Sequence, residues 1–155
     1  MIVNNHLTRS GPVLLVEDNI AHAELIMAAA AANEPQLQMI HLIDGEAALE
    51  YIAAALETDG GEKRLPSLVL LDLQLPKMDG LEVLRRLKDS LDTRWIPVVI
   101  LTTSEAESDL RRAYDQHANG YLVKPTTFEA FSNMMRAIGD YWLGHNRRPP
   151  AVRPN

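Results

Sequence analysis

Several features that are typical of other protein classes are missing from this sequence of 155 residues. It has no cysteine, which excludes a disulfide framework and a zinc site built on thiolates. No stretch approaches the roughly 18 consecutive apolar residues that a membrane-spanning helix needs. The first eleven residues, MIVNNHLTRSG, lack the apolar core of a signal peptide. We therefore expect a cytoplasmic protein that has no membrane partner.

Several binding and catalytic signals are also absent. The five histidines show no metal-type spacing, and we interpret His22 and His117 as residues on helix surfaces. The sequence contains neither a Gly-x-Ser-x-Gly elbow for a serine nucleophile nor a P-loop lysine. The formal net charge of −6 argues against nucleic-acid binding, because that binding relies on Lys and Arg to neutralise phosphates.

What the sequence does contain is a set of four short apolar runs, each of which ends in polar residues of a different kind. They are Val13–Val16 before Glu17 and Asp18, Leu68–Leu71 before Asp72, Val98–Leu101 before Thr102, and Tyr121–Val123 before Lys124 and Pro125. Strands that are buried on both faces of a parallel sheet have such continuous apolar runs, and ligands bind just beyond their carboxyl ends. As strands of one sheet, the runs would bring carboxylates, a hydroxyl and an ammonium into one pocket.

Helix-like segments alternate with these runs, and Leu37–Ile43 adds a fifth strand-like segment. The alternation predicts a parallel sheet with helices on both faces, and a hydrophobic content of 46% is sufficient for the core of one domain. We interpret the polar segment 57–66 as an enlarged surface loop. We predict helix caps at Asn19 and, from capping-box spacing, at Asp79 with Glu82, Ser104 with Glu107, and Thr126 with Glu129.

The acidic residues at the ends of the runs suit a divalent cation. Magnesium prefers oxygen ligands, which Glu17, Asp18 and Asp72 could supply together with the backbone carbonyl of Gln74. Asp72 follows the most apolar run, and by position it is the best candidate for a nucleophile that forms an acyl phosphate.

Each of these polar residues also has a simpler interpretation. An acidic pair after a strand, such as Glu17 and Asp18, often serves only to cap a helix. A single threonine such as Thr102 is usually a turn residue, and a lysine before a proline, such as Lys124, usually lies in a loop. The hydroxyl and the ammonium can, however, both donate to phosphoryl oxygens. The occurrence of all these residues at successive strand ends therefore favours a phosphoryl-binding site.

A phosphatase or phosphotransferase that uses Asp72 as its nucleophile is one alternative function. Sites of the haloacid-dehalogenase type usually place a second aspartate two residues after the first, where it serves in acid–base chemistry. This sequence has Gln74 at that position. The missing second aspartate therefore argues against an enzyme that turns over external substrates.

The motifs VLLVEDN, LLLDLQLPKMDG, PVVILTTS and NGYLVKP stand in an order and at a spacing that resemble the receiver domain of two-component response regulators, over roughly residues 12–143. The resemblance implies an α/β, flavodoxin-like fold. Its doubly wound sheet would have five parallel strands in the order 2-1-3-4-5 and five helices, arranged as a three-layer sandwich. It also implies a receiver domain over residues 12–144, between a flexible segment at 1–11 and a Pro/Arg-rich tail at 145–155.

The resemblance also implies a signalling switch, and no enzyme, that assists its own phosphorylation and dephosphorylation. It implies a role for each site residue. It makes Asp72 the phospho-acceptor and assigns Mg²⁺ (or Mn²⁺) to Glu17, Asp18, Asp72 and the carbonyl of Gln74. Thr102 would be the switch hydroxyl, Tyr121 the aromatic rotamer switch and Lys124 the phosphate-binding lysine. The peptide bond between Lys124 and Pro125 would be cis, a state that is tolerated mainly before proline.

Finer details are similar to the single-domain response regulators that are paired with bacterial phytochromes. These details include DGEAALEYI, the long loop before the third strand, LPKMDG and the aromatic final helix. The similarity implies a sensor histidine kinase as partner, with a phytochrome-type kinase as one candidate. It also implies a homodimer through the fourth helix, fifth strand and fifth helix. We expect no DNA-binding output domain, so the signal would leave by protein contact or by onward transfer to a phosphotransfer protein. A receiver that signals without phosphorylation is the alternative.

Overall fold

A computed structural model of the chain describes residues 11–57 and 64–149. Most of the predicted N-terminal segment 1–11, the centre of the predicted loop 57–66 and the end of the predicted tail 145–155 lie outside these ranges. Within the described part of the chain, no helix has both the length and the apolar character needed to cross a membrane.

The centre of the fold is a sheet of five parallel strands in the order β2-β1-β3-β4-β5, as predicted. The strands are β1 (Val13–Val16), β2 (Met39–Leu42), β3 (Leu68–Leu71), β4 (Val98–Thr102) and β5 (Gly120–Val123). Every residue of β1, β3 and β4 is buried, which accounts for the continuous apolar runs in the sequence. The second strand is shorter than the predicted Leu37–Ile43, because Leu37 donates to the Glu34 carbonyl in a turn and Ile43 is 56% exposed.

Helices cover both faces of the sheet, so the fold is the three-layer sandwich that the resemblance implies. The helices are α1 (Ile20–Asn33), α2 (Gly45–Glu57), α3 (Gly80–Asp89), α4 (Glu107–Asp115) and α5 (Phe128–Ile138), and a π-helical segment, Gly139–His145, follows α5. On one face, Ile26 of α1 and Phe131 of α5 share a core with β1, β3 and β4. On the other face, α2, α3 and α4 contribute Ile52, Leu84 and Ala113 to a second core.

Side-chain caps start α1 and α3 where the sequence predicts them. The Asn19 side chain accepts a hydrogen bond from the backbone N–H of His22 (3.1 Å), and Asp79 accepts one from Glu82 N–H (2.9 Å). The carboxylate of Glu82 makes ion pairs with Arg85 and Arg86, so it does not complete a capping box. The cap at Asn19 matters for function because it sets the first turn of α1 directly after β1.

The other two predicted caps are wrong. The N-cap of α4 is Ala106, which makes no side-chain cap bond, while the Ser104 hydroxyl bonds to the carboxylate of Asp109 (2.5 Å). The N-cap of α5 is Thr127, one residue after the predicted Thr126, and its hydroxyl accepts from Ala130 N–H (3.2 Å). The Ser104 prediction fails because a hydroxyl can bond a nearby side chain or turn as readily as a helix N–H.

The beginning of α3 lies directly against the end of β3. A Cβ atom at Gly80 would lie 2.2 Å from the carbonyl oxygen of Asp72, so this position excludes any side chain. The Gly80 N–H donates to the Leu73 carbonyl (3.0 Å), which ties the helix start to the chain that leaves the strand. The missing side chain therefore allows α3 to support the segment that carries Asp72.

Candidate functional site

The carboxyl ends of the central strands bring the predicted site residues together. Asp72 directly follows β3, and its N–H continues the ladder by donating to the Val16 carbonyl (3.1 Å). Lys124 directly follows β5, and its N–H donates to the carbonyl of Thr102, the last residue of β4 (2.8 Å). Because the pairing extends one residue beyond each strand, these side chains are positioned by the sheet itself.

Lys124 forms the centre of a buried charge cluster. Its Nζ lies 2.7 Å from Glu17 Oε1 and 2.8 Å from Asp72 Oδ2, and only 4% of the lysine side chain is exposed. The two carboxylates would repel each other strongly without a cation between them. The sequence prediction that these three residues share one pocket is therefore confirmed.

The pKa values of Glu17 and Asp72 are shifted in opposite directions. Burial raises the pKa of Glu17 to about 8, and the nearby Asp72 carboxylate acts in the same direction, while Lys124 opposes both. Burial would also raise the pKa of Asp72, but the interaction with Glu17 and the hydrogen bonds from Lys124 and the N–H of Gln74 outweigh burial and lower it. The Gln74 N–H lies 3.1 Å from Asp72 Oδ1. Asp72 is thus the ionised member of the pair.

The acidic residues fit a divalent cation. Glu17, Asp18 and Asp72 each offer a carboxylate oxygen, and these oxygens lie within 4.8 Å of one another. Glu17 Oε2 is buried and has no hydrogen-bond partner among the residues that the structure describes. A buried oxygen without a partner is costly in a protein interior, and a set of oxygen donors is what hard cations such as Mg²⁺ prefer.

The two predicted switch residues bond to the same residue of the loop between β4 and α4. Thr102 is fully buried, and its hydroxyl accepts from the backbone N–H of Ser104 at 3.4 Å. The Tyr121 hydroxyl donates to the Ser104 carbonyl (3.0 Å). Ser104 therefore links the end of β4 to the aromatic ring on β5.

One predicted feature of the site is wrong. The described residues contain no cis peptide bond, so the bond between Lys124 and Pro125 is trans. The trans form before proline is favoured by about 0.5–1 kcal/mol. With a trans bond, Lys124 still makes its backbone bond to Thr102 and both of its carboxylate contacts. Nothing in this geometry requires the less favourable isomer.

Sequence reasoning missed two histidines that contact Glu17. His22 Nδ1 lies 3.0 Å from Lys124 Nζ and 3.2 Å from Glu17 Oε1, so His22 belongs to the site and not simply to a helix surface. His41 Nε2 lies 2.7 Å from the Glu17 backbone carbonyl. The position of His22 in a capped turn directly after the acidic pair was a usable local signal. His41 gave none, because it reaches Glu17 only through the pairing of β2 with β1.

The response regulator receiver domain family matches residues 13–136 of this chain. Among similar proteins, the probable methanogenesis regulatory protein FilR2 of Methanothrix harundinacea is 51% identical over 137 residues, which is 88% of this chain and 86% of FilR2. Response regulator Rcp1 of Synechocystis is 38% identical over 131 residues, which is 84% of this chain and 88% of Rcp1.

Solved structures agree with this match. The Mn²⁺-bound form of Rcp1 has a TM-score of 0.77 over 90% of this chain and 99% of the other, at 37% identity. The phosphorylated cyanobacterial phytochrome response regulator RcpA has a TM-score of 0.81 with the same two coverages, at 35% identity. The chain is a response regulator and belongs to the receiver domain family.

Proposed function

We propose that this response regulator accepts a phosphoryl group on Asp72 from the phosphohistidine of a sensor histidine kinase. The observation that carries the proposal is the setting of the Asp72 carboxylate. It is buried at the end of a central strand, yet the hydrogen bonds from its neighbours keep its pKa low. A carboxylate that is already ionised can attack phosphorus without a general base.

In the transfer, an oxygen of Asp72 forms a bond to phosphorus while the bond from phosphorus to the donor imidazole nitrogen breaks. The electron pair of the broken bond stays with the imidazole, and Asp72 becomes an acyl phosphate. Lys124 lies 2.8 Å from Asp72 Oδ2, where its ammonium can neutralise the phosphoryl oxygens. The chain's own residues would thus assist phosphorylation and also the later loss of the group to water.

In this proposal Glu17, Asp18 and Asp72, together with the Gln74 carbonyl, would hold Mg²⁺ or Mn²⁺. A bound cation of this kind supplies positive charge that stabilises the oxygens of the phosphoryl group in flight. The oxygen-only donors and the unpartnered Glu17 Oε2 support the assignment. Since Glu17 must be ionised to act as a ligand, it would release its proton when the cation binds.

The response would start at Thr102 and Tyr121. A phosphoryl dianion on Asp72 would attract the Thr102 hydroxyl, which would then leave its bond to the Ser104 N–H. Tyr121 is bonded to the carbonyl of the same Ser104, so both the loop and the aromatic ring would respond. Such a charge change biases an element with two states. A shift from 1:99 to 99:1 requires about 5.5 kcal/mol of differential stabilisation.

The output surface in this proposal is formed by α4, β5 and α5, and its occupant is a second copy of the chain. Large apolar side chains are exposed there, namely Leu110 at 40% and Tyr114 at 50% on α4 and Val123 at 37% on β5. Burying them against a partner would be favourable. Sedimentation of the protein with and without beryllium trifluoride, a phosphoryl mimic, tests the homodimer. A phosphotransfer protein would be an alternative recipient of the signal.

The kinase that supplies the phosphoryl group is part of the proposal, as is a location in the cytoplasm. RcpA is described as a phytochrome response regulator, which supports a phytochrome-type kinase as the donor. FilR2 is described as a probable methanogenesis regulator, which supports a different input. Phosphotransfer profiling with a phytochrome kinase and a kinase without a light sensor distinguishes the two inputs.

The phospho-acceptor assignment is tested with a histidine kinase that carries a radiolabelled phosphoryl group on its histidine, in the presence of Mg²⁺. We expect the wild-type protein and Asp115→Asn, a change at an exposed aspartate of α4, to take up label. Asp72→Asn should take up none, and a chelator should abolish labelling of the wild type. Equal labelling of the wild type and Asp72→Asn would overturn the proposal. Repeated turnover of a small phosphate ester would instead support the phosphatase alternative.

A further inference from the structure

Ser104, in the loop between β4 and α4, uses each of its polar groups to bond to a neighbour. Its backbone N–H donates to the Thr102 hydroxyl, and its carbonyl accepts from the Tyr121 hydroxyl. Its own hydroxyl donates to the carboxylate of Asp109 (2.5 Å), in the first turn of α4, and accepts from the N–H of Ala106 (3.3 Å). One residue therefore joins the two predicted switch residues to the beginning of a helix.

The beginning of α4 is weakly held by the helix itself. Of its nine residues, Ala113 alone is buried. Its N-cap, Ala106, has no side chain that could accept from the free N–H groups of the first turn. A short helix with one buried residue and no side-chain cap opens locally more easily than the core of a domain. The position of the first turn therefore depends on the bond between Ser104 and Asp109.

We propose that Asp109 is a positioning residue that couples the phosphorylation of this protein to the position of α4. In the proposed response, the Thr102 hydroxyl leaves the N–H of Ser104. This loss frees the backbone of the same residue whose hydroxyl holds Asp109. When the Ser104 backbone shifts, its hydroxyl moves with it, so the bond to Asp109 weakens and the first turn of α4 is released.

The released helix carries part of the output surface. Leu110 directly follows Asp109, Tyr114 lies one turn later, and both are exposed. Coupling between two sites requires a physical element that both sites bias, and the first turn of α4 is that element here. The inference rests on the proposed function, because it requires a phosphoryl group on Asp72.

A simpler role for Asp109 is electrostatic. Acidic residues in the first turn stabilise a helix through its dipole, and α4 has two of them, Glu107 and Asp109. The Ser104 hydroxyl bonds to the second of these. Glu107→Ala therefore removes a charge from the same helix end and keeps the bond. Asp109→Asn also removes a charge, but its amide oxygen can still accept from Ser104. These two variants distinguish the effect of the charge from that of the bond.

The test is hydrogen exchange of the α4 backbone in the whole chain, measured by mass spectrometry in Mg²⁺ with and without saturating beryllium trifluoride. The protein is diluted until sedimentation shows a single copy, so that a dimer cannot protect the helix. In the wild type, we expect the mimic to speed exchange of α4 about fivefold, the effect of one net hydrogen bond.

The variants should differ in how they respond to the mimic. Asp109→Ala should exchange at the faster rate without the mimic and show little further change when it is added. Ser104→Ala should behave in the same way, because it deletes the same bond from the other side. Glu107→Ala and Asp109→Asn should respond as the wild type does. A purely structural role of Asp109 predicts that the effect of the mimic is added in full to that of Asp109→Ala.

Calorimetric titration with beryllium trifluoride establishes separately that each protein binds the mimic. A wild type that binds the mimic without any change in α4 exchange overturns this inference and leaves the proposed function intact. A full response in Asp109→Ala, or a lost response in Glu107→Ala, also overturns it. A wild type that binds no mimic contradicts the proposed function and the inference together.

Discussion

Two lysines lie at opposite edges of the sheet, and each has three polar groups within hydrogen-bond distance. At the carboxyl ends of the strands, Lys124 is buried among side chains that can change charge or partner, those of Glu17, Asp72 and His22. At the amino ends, Lys88 of α3 is half-buried among oxygens that carry no net charge. These are the carbonyls of Arg94 (3.1 Å) and Ile96 (2.8 Å) and the side-chain amide of Asn119 (2.8 Å).

The nature of the acceptors decides what each edge can do. Around Lys124, a metal ion or a phosphoryl group can replace one charged interaction with another. Around Lys88, the backbone holds the carbonyls in place, and Asn119 Oδ1 also accepts from Val98 N–H (2.9 Å), which joins the beginnings of β4 and β5. Burial lowers the pKa of Lys88 to about 8. We therefore expect the interactions at the carboxyl edge to rearrange when a charged ligand binds, whereas those at the amino edge hold β4 and β5 in fixed positions.

Replacing each lysine with methionine should have the largest effect on stability, and the size of that effect should differ between the two edges. Lys124→Met leaves the ionised Asp72 buried without its main partner, and we expect it to lower the free energy of unfolding by about 3 kcal/mol. Lys88→Met leaves neutral oxygens without a donor, at a cost of about 1–2 kcal/mol. Urea denaturation of both variants measures these losses.

Added Mg²⁺ should affect the stability of the two lysine variants differently. A cation that binds the freed carboxylates should recover much of the stability of Lys124→Met, because it binds only the folded protein. It should not change the difference in unfolding free energy between Lys88→Met and the wild type, because the acceptors of Lys88 lie at the opposite edge. Equal recovery in both variants, or recovery in neither, would show that the two edges do not differ as proposed.

Two glycines show the same difference between the two edges in how tightly the backbone is packed. Gly80→Ala would place a Cβ 2.2 Å from the Asp72 carbonyl oxygen, whereas at Gly120, which opens β5, the nearest atoms are side-chain carbons of Val99 at 3.6 Å. We expect Gly80→Ala to lower the free energy of unfolding by about 2 kcal/mol, in the range of overpacked cores, and to slow labelling of Asp72. Gly120→Ala should stay within about 0.5 kcal/mol of the wild type. A similar loss of stability in Gly80→Ala and Gly120→Ala, measured by thermal denaturation, would contradict this expectation.

The dependence of stability on pH should have opposite slopes for the two edges. Glu17 has a pKa of about 8 when folded and about 4.5 as an ordinary carboxyl group, so the folded protein binds the extra proton between these values. Stability therefore falls as pH rises through this window, by on the order of 2 kcal/mol without metal. Lys88 loses its proton near pH 8 when folded and near 10.5 otherwise, so its contribution rises with pH above 8. Partial solvation limits that rise to about 1 kcal/mol.

Single substitutions show which residue causes each pH dependence of stability. In a chelator, Glu17→Gln should flatten the falling limb and leave the rising one, and Lys88→Met should do the reverse. Saturating Mg²⁺ should also flatten the falling limb, because Glu17 would then be ionised in the folded state. A falling limb that persists in Glu17→Gln would mean that another group binds the proton.

Much of the site could be predicted because its members directly follow short apolar strands. The runs that precede Asp72 and Lys124 can be recognised in the sequence as short apolar stretches. Parallel strands bring their carboxyl ends to one edge of the sheet. The helix caps were less predictable. Asn19 caps α1 as expected, but the Ser104 hydroxyl bonds to Asp109, because a serine has several competing partners near a helix start.

Strand periodicity and the chemistry of each side chain are local properties, so the five strands, their polar end residues and the members of the charge cluster could be predicted from the residues alone. The contact of His22 with Lys124, which is 102 residues away, and the contact of His41 with the Glu17 carbonyl follow only from the packing of the folded chain. These features depend on strand order and on competition among partners in a crowded pocket, and no local pattern encodes that competition.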